Sequence, residues 1–131
     1  MRSPALAALS VLALAGAADA RPRQSGESQL ASLLNGRVAE QPVSCIRTLP
    51  SSELKVIDGT AIVFGRGKTI YVNRTRDPRS INDRHTLVMR KFGSGTELCR
   101  TDIVTTVDAT THTYTGNVFL ADFVPYRRAG R

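Results

Sequence analysis

From Val43 onward the apolar residues of this chain fall in short β-branched runs, each closed by Gly, Asp, Asn or Pro. Leu54-Lys55-Val56-Ile57 and Thr60-Ala61-Ile62-Val63-Phe64 flank Asp58-Gly59. Asp-Gly between such runs predicts a hairpin in which both turn residues take positive φ. Gly65-Arg66-Gly67-Lys68 reads as a second turn leading into Thr69–Asn73, and a polar loop follows from Arg74 to about His85. The strand pattern resumes over Thr86–Phe92, Thr101–Val107 and Thr113–Leu120, where Tyr114, Val118 and Leu120 are expected on one face. Phe123-Val124-Pro125-Tyr126 closes the pattern, with Pro125 better suited to a sheet edge than to its centre. Before these runs, Gln29–Leu34 spaces its apolar residues at i, i+3 and i+4, which predicts one short helix. Ser25 or Ser28 would cap it, and Asn35-Gly36 would stop it. About seven or eight short strands after one helix predict an all-β fold, a single small antiparallel barrel or sandwich, and periodicity leaves those two open.

The first twenty residues have a different character. Met1-Arg2 is a short positive start, Ala5–Ala15 is apolar but for Ser10, and Ala18-Asp19-Ala20 is a small-x-small cleavage site. This is the pattern of a secretory signal peptide, and the apolar run is too short to span a bilayer. Leu14-Ala15-Gly16-Ala17 would resemble a lipidation box if a Cys stood at Ala17, so no lipid anchor is expected, and no later segment is apolar long enough to cross a membrane. Cleavage near Ala20 leaves about 111 of the 131 residues, periplasmic or secreted. That length admits one domain and excludes an eight-fold β/α barrel, which needs roughly 250 residues. The expected organisation is 1–20 signal peptide, 21–42 polar segment and helix, 43–126 β-domain and 127–131 basic tail.

Charge sharpens the picture. The chain carries 18 Lys+Arg against 11 Asp+Glu, a net +7, and the loss of Arg2 and Asp19 leaves that balance unchanged. Arg66, Lys68, Arg74, Arg76, Arg79, Arg84, Arg90 and Lys91 lie close together in sequence, opposed only by Asp77 and Asp83. Such a stretch suits a polyanion or an anionic envelope component. Only Tyr71 and Phe92 offer rings near it, fewer stacking platforms than single-strand nucleic-acid binders present. A solvated basic surface, rich in Arg for compositional reasons, is the plain alternative.

The two cysteines, Cys45 and Cys99, both fall in strand-like segments and lack Cys-x-x-Cys or Cys/His spacing. In an oxidising compartment they are expected to form one disulfide. Gly67-Lys68-Thr69 imitates the end of a phosphate-binding loop, but Ile62 stands where the first Gly is needed, and a strand pattern follows instead of a helix. Asn73-Arg74-Thr75 is a formal glycosylation acceptor. His85 and His112, with Lys91 as the cation and Asp83 as a carboxylate partner, would form the general acid and base of a small nuclease or other hydrolase. Nothing in their spacing places them together, so no catalytic residue is assigned. Gly93-Ser94-Gly95 reads as a turn without a base for its Ser, and no metal or cofactor is expected.

Cys45-Ile46, Val56–Ile62, Tyr71-Val72-Asn73, Leu98–Ile103 and Phe123–Tyr126, in this order, resemble a family of small exported proteobacterial proteins of the sphingomonad type, a domain of unknown function. The likeness runs from about Val43 to Tyr126. Members often carry four cysteines, of which this chain has the equivalents of the first and third, with Asn82-Asp83-Arg84-His85 where another would fall. The resemblance implies export and a β-rich domain, and it brings no activity. The leading expectation is a non-enzymatic exported domain that binds a ligand or supports the envelope. Next comes a polyanion-binding module using Arg66, Lys68, Arg74, Arg76, Arg79 and Arg84, and third the hydrolase.

Overall fold

The computed structural model describes residues 21–48, 52–90 and 95–130. The expected signal peptide, Lys91 and Gly93-Ser94 lie outside the described residues. The fold is mostly β, with one short helix. Helix α1 (Gly26–Leu34) begins at Ser25, whose side chain accepts a hydrogen bond from the Ser28 amide, and ends at Asn35. The polar side chain satisfies an amide that the first helical turn leaves without a partner. Gly36 then turns the chain with φ 73°.

Ten strands follow among the described residues: β1 (Arg37–Ala39), β2 (Cys45–Arg47), β3 (Leu54–Ile57), β4 (Ala61–Phe64), β5 (Thr69–Asn73), β6 (His85–Arg90), β7 (Glu97–Cys99), β8 (Ile103–Asp108), β9 (Tyr114–Phe119) and β10 (Val124–Arg128). They form three antiparallel sheets, β1-β10-β5-β4-β3, β2-β7 and β6-β8-β9, and none of these closes on itself. β1 lies in a stretch where three residues are too few to show a period.

β4 is buried along its whole length because the five-stranded sheet is covered on both faces. Alternate side chains go to opposite sides. Ala61 and Val63 join Ile57, Ile70 and Val72 under Leu30 of α1. Ile62 and Phe64 meet Ile46 and Leu98 of the two-stranded sheet, Val104 and Val118 of the three-stranded sheet, and Phe123. Phe64 and Phe123 touch edge to face, with ring centres 5.6 Å apart.

Three local expectations are corrected. The β3–β4 connection has three residues between the paired Ile57 and Ala61, and only Gly59 takes positive φ, so the turn is not the mirror-image type that needs two. Tyr114 stands apart from Val118 and Leu120 because the β8–β9 register shifts between Thr106 and Val107. That bulge turns Tyr114 outward to 65% exposure while Val118 and Leu120 stay buried. Pro125 lies in β10, which has neighbours on both sides. Its carbonyl accepts from the Glu40 amide just past the end of β1. The missing N–H therefore faces that strand end, and no ladder bond to β5 is lost.

Candidate functional site

The basic stretch that is continuous in sequence is divided in space. β5 runs through its middle, placing Arg66 and Lys68 before one end of the strand and Arg74, Arg76, Arg79 and Arg84 beyond the other. At the second end two of the four arginines are engaged. Arg74 makes a two-pronged contact with Glu27 in the first turn of α1, at 2.7 and 3.3 Å. This lowers the pKa of Glu27 and raises that of Arg74, chiefly through the shared hydrogen bond. Arg79 contacts Asp77 at 3.4 Å, and Asp83 takes Arg23 at 3.0 Å. Arg76 and Arg84 are exposed, without a carboxylate partner among the described residues.

The first end is a cleft of about 260 Å³ whose floor is Leu33, Val63 and Ile70. Its rim carries Arg37, Lys55, Arg66 and Arg128 against one carboxylate, Glu53. Local geometry explains the convergence. Gly36 turns the chain between α1 and β1, which brings the Arg37 side chain back to the Leu33 carbonyl in the last helical turn. Gly65 and Gly67, at φ 87° and 94°, fold the β4–β5 turn around the same space.

Arg37 is the node. Its Nε donates to the Leu33 carbonyl at 3.2 Å, Nη2 to Gly67 at 2.8 Å and Nη1 to Lys68 at 3.1 Å. One guanidinium thus fastens the end of α1 to the β4–β5 turn using neutral acceptors alone. Arg128 stands directly opposite Arg37 in the β1–β10 register. Burial first, and then the charge of Arg128, pushes the Arg37 pKa down from its ordinary value. Glu53 contacts Arg66 at 3.3 Å. Arg37, Arg128 and Lys55 have no ion-pair partner among the described residues. None of these three belongs to the basic run of the sequence. Arg37 and Arg128 meet only through long-range pairing, and Lys55 reaches the rim because it shares a strand face with Ile57.

The histidines come to a common end of the three-stranded sheet. His85 opens β6 opposite Asp108, and His112 lies in the β8–β9 loop with φ 57°. The His85 ring nitrogen Nδ1 is 3.4 Å from Thr115 Oγ1. Asp83, the carboxylate expected beside His85, engages Arg23. Asp108 takes the neighbouring place, but its Oδ1 accepts from the amides of Thr110 and Thr111, both at 2.8 Å, and from the Thr111 hydroxyl. These bonds, led by the Thr111 amide, hold its pKa below the usual range and tie it to the loop. Neither histidine lines the cationic cleft.

Cys45 and Cys99 form the expected disulfide, across directly paired positions of β2 and β7. Among the described residues no cluster of His, Cys, Asp and Glu is arranged to hold a metal ion, and no helix is long and apolar enough to cross a membrane. No protein-family model, no curated protein and no solved structure matches the chain.

Proposed function

We propose that this chain is an exported, non-catalytic β-domain that binds an anionic component of the cell envelope or its surroundings. The ligand seats at the Arg37–Arg128 end of the five-stranded sheet, and the layers of that sheet are those of a sandwich. The observation that carries this reading is the pair Arg37 and Arg128, opposed in register beside an open cleft without a carboxylate between them. Like charges directly across a strand pair are unfavourable. A bound anion relieves that repulsion, and it does so in a concave site where Coulombic attraction is stronger than on an open surface. Export rests on the leader-like Met1–Ala20 and on the Cys45–Cys99 bridge, a bond characteristic of oxidising compartments. The resemblance to small exported proteobacterial proteins agrees with both.

Retention of the full chain, expressed with its own leader, on immobilised heparin tests the reading. Retention is expected to fall steeply with salt, and Arg128→Ala and Lys55→Ala are expected to flatten that dependence. Arg76→Ala and Arg84→Ala are expected to leave it unchanged. Absence of retention at low salt overturns the proposal, and dependence on Arg76 and Arg84 instead moves the site to the opposite end of β5.

A further inference from the structure

We infer that the ligand of the cationic cleft is an anion with a short apolar chain, its head between Arg37 and Arg128 and its chain along Leu33, Val63 and Ile70. This rests on the anion-binding reading and adds to it the chemistry of the rest of the ligand.

The rim alone would serve any anion. The floor discriminates, because Leu33, Val63 and Ile70 offer a polyanion nothing to pair with and offer a hydrocarbon a surface to cover. Val63 and Ile70 belong to the apolar layer that α1 covers, with Leu33 packed against it from the last helical turn. The cleft is therefore the place where the helix-side core opens to solvent beneath a ring of cations. At about 260 Å³ it lies just under the range of sites for drug-sized molecules, which fits one short chain and not a folded polymer. Arg37 and Arg128, from β1 and β10, lie on one side of this floor, and Lys55, from β3, lies on the other. Arg37 is held by four backbone carbonyls, those of Leu33, Gly67, Lys68 and Tyr126, so its guanidinium is fixed before a ligand arrives. The chemistry shared by free alkyl carboxylates and alkyl phosphates, a compact anion on a hydrocarbon chain, matches this division.

A chain-length series measured by titration calorimetry tests the inference, using acetate, hexanoate, octanoate and decanoate below micelle-forming concentrations, with decyl phosphate as a second head group. Affinity is expected to rise about fourfold for each methylene buried and then to level off when the cleft is full. Arg128→Ala is expected to weaken every member. Leu33→Gln is expected to reduce the gain per methylene while leaving acetate binding unchanged. Lys55→Gln, at an exposed position, provides a second rim variant with little bearing on folding. Tighter decanoate than decyl phosphate would identify a carboxylate head, and the reverse a phosphate. Heparin retention without chain-length dependence overturns this inference and leaves anion binding intact. Failure of heparin and of the whole series removes both. Affinity that climbs without levelling off places the chain on an open apolar surface and also overturns the assignment.

Discussion

The Asn73 carboxamide pairs with both backbone groups of Ala121: Nδ2 donates to the carbonyl at 2.7 Å, and Oδ1 accepts from the amide at 3.0 Å. The same Oδ1 accepts from the Thr75 amide at 2.9 Å, and the whole residue is buried. Asn73 thereby joins the end of β5 to the segment between β9 and β10, where neither backbone group of Ala121 has a strand partner. It also answers the formal glycosylation motif at this position, because the acceptor amide is inside the protein.

Asn73→Leu is expected to lower stability by about 2–4 kcal/mol, since it leaves the buried Thr75 amide and the half-buried amide and carbonyl of Ala121 without their partner. Urea unfolding checks this. An unchanged midpoint would mean that water replaces the carboxamide.

Gly26 opens α1, where Ala would ordinarily favour the helix by up to about 1 kcal/mol. Here a Cβ would collide with Thr60 Oγ1 and come within 2.8 Å of the Asp58 carbonyl. The first turn of the helix rests on the β3–β4 turn, and overpacking typically costs about 1–3 kcal/mol. Gly26→Ala is therefore expected to lower the thermal midpoint despite its better propensity. Combining it with Thr60→Ala is expected to restore part of the loss.

Replacing both cysteines by Ser is expected to cost about 4 kcal/mol on the chain-entropy account, because the bridge closes a loop spanning 54 positions. The partner strands β2 and β7 have three residues each, so the covalent link supplies much of what holds Ile46 against Leu98. Denaturant unfolding with and without a reductant gives the comparison. Equal midpoints would show that the hydrophobic contacts suffice.

Acid should weaken the fold through two carboxylates. Glu27 and Asp108 have pKa values below their ordinary 4.5 and 3.8, the first through Arg74 and the second through the Thr111 and Thr110 amides. A depressed folded-state pKa contributes stability that is complete above the unfolded value and is lost as pH falls through the folded value. Urea midpoints are expected to decline as pH drops below those ordinary values, and Glu27→Gln and Asp108→Asn should each make the decline shallower. A curve identical to the parent's in both variants would assign acid sensitivity elsewhere.

What could be seen in the sequence followed the range of the interaction responsible. Ser25 as cap and Asn35-Gly36 as stop are local chemistry, and the helix forms as the spacing predicts, three residues longer at its start. Asp58-Gly59 marks a hairpin for the same reason. Tyr114 escapes the pattern because a bulge breaks the two-residue period on which the pattern rests. Pro125 escapes it because the cost of a missing amide depends on which neighbour that amide would face. The candidate site was legible only in Arg66, because Lys68 contributes no more than the backbone carbonyl that Arg37 holds. Arg37 and Arg128 stand 91 positions apart in the chain, and their meeting depends on the β1–β10 register, which no short window of sequence contains.

The division of the basic stretch by β5 has an electrostatic consequence. Lys68 and Arg74 flank the strand, so the two cationic ends stand roughly 20 Å apart at the usual rise per residue. The screening length at physiological ionic strength is about 8 Å. Each end therefore acts as a separate pole. A ligand at the cleft scarcely feels the loop beyond Asn73, and charge changes at the two poles should combine additively, with no cooperation between them.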